Sequence, residues 1–163
     1  TNLPMHTIRL RGPWQLEAVY RCVPRADGGF ERSTENLPAA ARMHVPADWG
    51  AAFGSDFLGR VRYVRNFNSP LGLQFDERVW LVVEPQRSEA RVVMLEETLG
   101  VVAADGPPRR FDVTHRLSPH NRLEIFVDHP ALVDGRRIAG DPALLPPPGG
   151  LVGEVRLEIE AVR

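Results

Sequence analysis

The chain has 163 residues, the length of one domain, and at that size about 70% of the unfolded surface can be buried around a single core. Hydrophobic residues at 43% and charged residues at 25% exclude wholesale disorder, and the single cysteine, Cys22, excludes an intramolecular disulfide. Twenty basic residues against 21 acidic ones leave a net charge of −1, so no overall field holds nucleic acid or an acidic membrane, and neither is an expected partner.

The 14 glycines and 15 prolines favour many turns over long helices. Alternation at period two recurs between Gly, Pro, Asp and Asn clusters, which is the pattern of an all-β sandwich. In chain order, strands are predicted at 8–11, 14–23, 42–45, 60–67, 78–84, 90–95, 110–113, 123–127 and 155–160, about nine in all. In the last of these Val155, Leu157 and Ile159 alternate with Arg156, Glu158 and Glu160, so one face is core and the other wet. Leu123, Ile125 and Val127 repeat the pattern, as do Val61, Tyr63 and Phe67 against Arg60, Arg62 and Asn66. Trp14, Leu81 and Val83 complete the predicted core. One short helical turn is predicted at 113–117, capped by Asp112 or Thr114 and ended by Ser118-Pro119. Two long surface loops are predicted, 25–39 and 130–150. Cys22, between strand residues, reads as an inert buried thiol, because no neighbouring cation or helix start lowers its pKa. With no basic-then-apolar segment after Thr1 and an unpaired cysteine, the chain is expected to be soluble and cytoplasmic.

Several motifs then fall in a familiar order. Gly12-Pro13-Trp14 opens the chain, Val45-Pro46-Ala47-Asp48-Trp49 follows, and Tyr63-Val64-Arg65-Asn66-Phe67 comes next. Phe111-Asp112-Val113-Thr114, Asn121-x-Leu123, Gly149-Gly150-Leu151 and Val155-x-Leu157 close the series. In this order the chain resembles the N-terminal sugar-binding domain of glycoside hydrolase family 2, the β-galactosidase and β-glucuronidase family. The resemblance implies a jelly-roll β-sandwich of the galactose-binding-domain-like type. Two departures stand out. Where the family has an Asn-Gly hairpin, this chain has Leu95-Glu96, so a different turn is expected there. The chain also stops at Arg163, where the family continues into an immunoglobulin-like domain and a catalytic barrel. The family's two catalytic glutamates lie in that barrel, so none carries over and a non-catalytic module standing alone is expected.

Residue chemistry points the same way. His6, His44, His115, His120 and His129 lack zinc spacing, the serines lack a nucleophile elbow, and Asp112 reads as a turn residue rather than a calcium ligand. No metal and no cofactor is expected. Saccharide recognition combines a stacking ring with polar groups. Trp49, which otherwise plugs one end of the sandwich, is the candidate platform, with Asp105, Arg109 and Arg110 as hydrogen-bonding partners on the 101–110 segment, which the resemblance places toward substrate. Trp80 and Val82 face outward if Leu81 and Val83 face the core, and Val93 faces outward on the next strand. These three form a candidate apolar interface, covered by the 130–150 loop, by a partner protein or by a second copy. The leading functional expectation is carbohydrate binding. The rival is a protein interaction or self-association module that kept the fold.

Overall fold

A computed structural model describes residues 6–133, 136–137 and 148–162, and of 132, 133, 136 and 137 only the main chain. The strands, in chain order, begin with β1 (His6–Arg9), β2 (Trp14–Pro24), β3 (Phe30–Ser33), β4 (Ala41–Met43) and β5 (Ala47–Asp48). A four-residue helix, α1 (Gly50–Phe53), leads to β6 (Gly59–Asn68), β7 (Glu77–Val83), β8 (Glu89–Met94), β9 (Glu97–Val102) and β10 (Arg109–Asp112). Then come β11 (His120–His129), β12 (Leu132–Val133), β13 (Arg136–Arg137), β14 (Gly150–Leu151) and β15 (Val155–Ala161). A four-stranded sheet in the order β1-β15-β7-β10 packs on a seven-stranded sheet in the order β3-β2-β6-β11-β8-β9, with β4 added beside β2. The result is the antiparallel sandwich that the alternation implied.

The core is made by the inner rows of the two sheets. Trp14 and Leu16 of β2, Val61 and Tyr63 of β6, and Leu123, Ile125 and Val127 of β11 meet Val79, Leu81 and Val83 of β7 and Val155, Leu157 and Ile159 of β15, all buried. Phe67, predicted as core, is half-buried and packs against this cluster.

All nine predicted strands are present, and the described residues carry six more. One of them, β3, lies inside the predicted 25–39 loop, because Phe30 buries against Tyr20 and Cys22 in a satellite cluster. The predicted helical turn at 113–117 is a single tight turn: the Arg116 N–H donates to the Val113 carbonyl at 2.9 Å, and Asp112 caps the turn by accepting from the Thr114 N–H and hydroxyl. Most of the predicted 130–150 loop lies outside the described residues.

Two features change which side chains meet. Between β2 and β6 the register passes from Ala18↔Val61 to Tyr20↔Arg60, so Val19 is an extra residue in a β-bulge. Ala18 faces the core, while Tyr20 and Cys22 lie on the outer face of the larger sheet. The second feature is the β8–β9 hairpin. Its central residues, Leu95 and Glu96, have φ of 49° and 68°. That is the conformation an Asn-Gly type I′ turn supplies, so the expectation of a different turn is corrected: the turn is kept and two unfavourable residues adopt it.

Candidate functional site

The sandwich has two ends. At the end where β6 begins and β11 finishes, Trp49 is completely buried. Its indole N–H donates to the Phe57 carbonyl at 3.2 Å, and its ring meets those of Phe57 and His129 edge to face at 5.7 and 6.4 Å. His129 in turn lies 3.1 Å from the Ser88 hydroxyl through Nδ1. Gly149 closes this plug because nothing larger fits. A Cβ there would stand 2.4 Å from the His129 Cβ and 2.9 Å from the Trp49 ring. The Gly149 carbonyl accepts from the Trp49 N–H at 2.9 Å. Trp49 therefore offers no ring face to a ligand.

Its expected partners do not converge on it. Asp105 sits at a positive φ of 54° and donates its N–H to the Gln86 carbonyl. Arg109 and Arg110 are neighbours on β10 and point to opposite faces. Arg109 lies over the Phe111 ring and donates to the Val101 carbonyl at 2.8 Å, closing the open edge between the sheets. Arg110 stacks on Trp80, 4.2 Å from the ring centre, and reaches Glu160 at 3.5 Å.

The expected apolar group is also divided. Trp80 and Val82 belong to the smaller sheet and Val93 to the larger one, so they lie on opposite outer surfaces of the sandwich. The chain between β7 and β8 crosses from sheet to sheet instead of turning back as a hairpin. Val82 is buried at 2% exposure between its cross-strand neighbours Arg110 and Arg156. Trp80 is half-buried: Arg110 covers its face and its indole N–H donates to Glu160 at 2.8 Å. Around it Arg156 bonds Glu158 at 2.8 Å and also pairs with Glu84. Charged side chains of the same sheet thus cover the surface that sequence reasoning left for a loop or a partner.

On the outer face of the larger sheet, the bulge brings Tyr20 between two guanidinium groups, Arg32 at 4.8 Å and Arg60 at 5.3 Å from the ring centre. Arg60 forms a two-pronged pair with Asp128 at 2.7 and 2.9 Å, and the Tyr20 hydroxyl donates to the same carboxylate at 3.1 Å. Burial pushes the Tyr20 hydroxyl up to about 12 and the Cys22 thiol up to about 11, so both stay protonated at neutral pH. The Arg60 guanidinium and the Tyr20 hydroxyl are thus both committed to Asp128. Among the described residues no group of three or more His, Cys, Asp or Glu side chains is arranged to hold a metal ion.

The other end is different. An open cleft of about 480 Å³ lies where β6 finishes, β11 begins and the β8–β9 hairpin turns, lined by Asn66, Phe67, Asn68, Leu95, His120 and Arg122, with Asn121 at its base. Asn121 holds the cleft together: buried at 2%, it accepts from the Ser118 N–H and donates to the carbonyls of Ser118 and Phe67. Outward-facing positions of two paired strands supply the polar wall, with His120 opposite Asn68 and Arg122 opposite Asn66. The His120 Nδ1 lies 3.0 Å from the side-chain amide oxygen of Asn68, Oδ1. Sequence reasoning missed this site. Its one signal was the exposed row Asn66, Asn68, His120 and Arg122, visible only once the two strands are known to pair.

The comparisons bear on the fold. No family model matches the chain, and no curated protein matches it. Solved structures do. The β-glucuronidase of Bifidobacterium dentium, complexed with coumarin-3-O-glucuronide, matches over 99% of this chain at 21% identity, with a TM-score of 0.68. The chain has the fold of one portion of β-glucuronidases. A Faecalibacterium prausnitzii β-glucuronidase matches over 100% of the chain at 19% identity and a TM-score of 0.66. A family 2 β-galacturonidase of Eisenbergiella tayi, bound to galacturonate, matches over 97% at 18% identity and 0.64. The β-glucuronidase-type fold thus accounts for the whole described chain, while the chain spans 25–32% of the length of these three solved proteins. At these identities the likeness is one of fold, and it meets the expectation raised by the motif order.

Proposed function

We propose that the chain is a non-catalytic saccharide-binding module whose ligand lies in the cleft between Asn66, Asn68, His120 and Arg122. The observation that carries this reading is the make-up of that cleft. Amide, imidazole and guanidinium groups match the donor and acceptor pattern of sugar hydroxyls, and Leu95 gives an apolar contact for a pyranose face. Glu84, Glu158, Glu160, Glu124 and Asp128 are held in ion pairs with arginines, which fits a binding role better than acid–base chemistry at those five positions.

The test is calorimetric titration with a panel of monosaccharides that includes glucuronate and galacturonate, the sugars named with the matched proteins. An open cleft without an aromatic platform is expected to bind weakly, with Kd of about 1 mM, or about −4 kcal/mol. Asn66→Ala with Asn68→Ala should abolish the heat of binding while leaving the thermal midpoint unchanged. Absence of binding to every sugar, or unchanged affinity in the double variant, would overturn the assignment. The rival reading, an interaction module, has an observation of its own in the apolar side chains around the same end.

A further inference from the structure

Six large hydrophobic side chains are exposed among the described residues: Leu71 at 98%, Phe75 at 97%, Leu73 at 37%, Leu95 at 39%, Val162 at 42% and Val23 at 39%. Five of the six, all but Val23, gather at the cleft end. Leu71, Leu73 and Phe75 sit in the segment 69–76, which leaves β6 at Asn68 and enters β7 at Glu77. Leu95 is in the hairpin, its N–H bonded to the Arg122 carbonyl, and the Val162 N–H is bonded to the Asp76 carbonyl. The opposite end is sealed by its own Trp49, so the contrast is between a closed end and an open one. Two side chains almost wholly in water are costly to leave there, at about 25 cal/mol per Å² of apolar surface.

The same end carries both halves of a complementary contact. The projecting half is apolar and acidic, with Phe75 followed by Asp76. The receiving half is the cleft, apolar through Leu95 and basic through Arg122, which is half exposed and lies 3.8 Å from Glu124. We propose that the 69–76 loop of one copy seats Phe75 in the cleft of a second copy, with Asp76 against Arg122, and that the second copy returns the same contact. Such an isologous arrangement makes every favourable pair twice, and with a net charge of −1 per chain there is little repulsion to oppose it. Loop and saccharide then compete for one cleft. That competition rests on the saccharide reading; the dimer does not.

Sedimentation velocity over a range of concentrations tests this. The unaltered chain is expected to show a monomer–dimer equilibrium, and Phe75→Glu to be monomeric throughout, with a circular dichroism spectrum and thermal midpoint unchanged because the side chain is exposed. Asp76→Arg and Arg122→Asp should each weaken the dimer by about tenfold or more, and the two together should restore it. A chain that is monomeric at all concentrations overturns the proposal. So does a dimer that survives Phe75→Glu, or a double exchange that fails to restore association. Should Phe75→Glu fold poorly, Phe75→Ser takes its place with the same expected result. Sugar titration of the monomeric Phe75 variant, whose cleft is free, separates failure of the dimer from failure of saccharide binding.

Discussion

Leu95 and Glu96 turn the β8–β9 hairpin in the left-handed region, which costs a non-glycine residue about 1–2 kcal/mol. The turn persists because the strands on either side fix it: β8 is bonded to β11 along its length, and the Leu95 N–H is held by Arg122. Glu96→Gly removes strain without touching a lining side chain of the cleft, and should raise the unfolding free energy by about 1 kcal/mol in a urea titration. A loss of stability on that change would show that Glu96 is not strained. Arg109 and Arg110 teach a related point about single residues. Both were legible as polar groups near a loop, but side-chain direction on a strand sends one to the edge carbonyl of Val101 and the other to Trp80.

Strand β2 shows how an element can be read correctly and still be misplaced. Positions 14, 16, 18, 20 and 22 are all buried, so the alternation runs unbroken through the sequence. The bulge at Val19 nonetheless moves Tyr20 and Cys22 to the outer face, and an inserted residue of ordinary type leaves no mark in the pattern. What holds the displaced half of the strand is the Asp128 carboxylate, which accepts from Arg60 and from Tyr20. Asp128→Asn keeps the shape and removes the charge, and should cost about 1–3 kcal/mol in a denaturant titration, more than Tyr20→Phe at about 1 kcal/mol. Equal stability of the Asn variant and the parent would mean that the satellite cluster, not the carboxylate, anchors this part of β2. The same limit applies between β7 and β8. Both strands were legible, but their assignment to different sheets was not, and Val93 was grouped with Trp80 for that reason.

For the molecule as a whole, motif order carried the architecture further than any single strand did. Gly149 and Gly150 were legible as a motif, and the structure supplies their reasons: close approach to His129 at the first and a φ of 143° at the second. The site was less legible because Trp49 plugs one end, Arg109 closes an edge and Arg110 covers Trp80, while the cleft is built from two strands that are distant in sequence. The three tryptophans give this architecture an optical consequence. Trp14 and Trp49 are wholly excluded from water, and Trp80 lies at the surface beneath a guanidinium with its N–H on a carboxylate. Native emission should therefore be blue-shifted and dominated by two rings that acrylamide does not reach. Because Trp49 sits in the plug and Trp14 deep between the sheets, a red shift at the first before the second, followed in single-tryptophan variants, would show the sandwich opening from its sealed end.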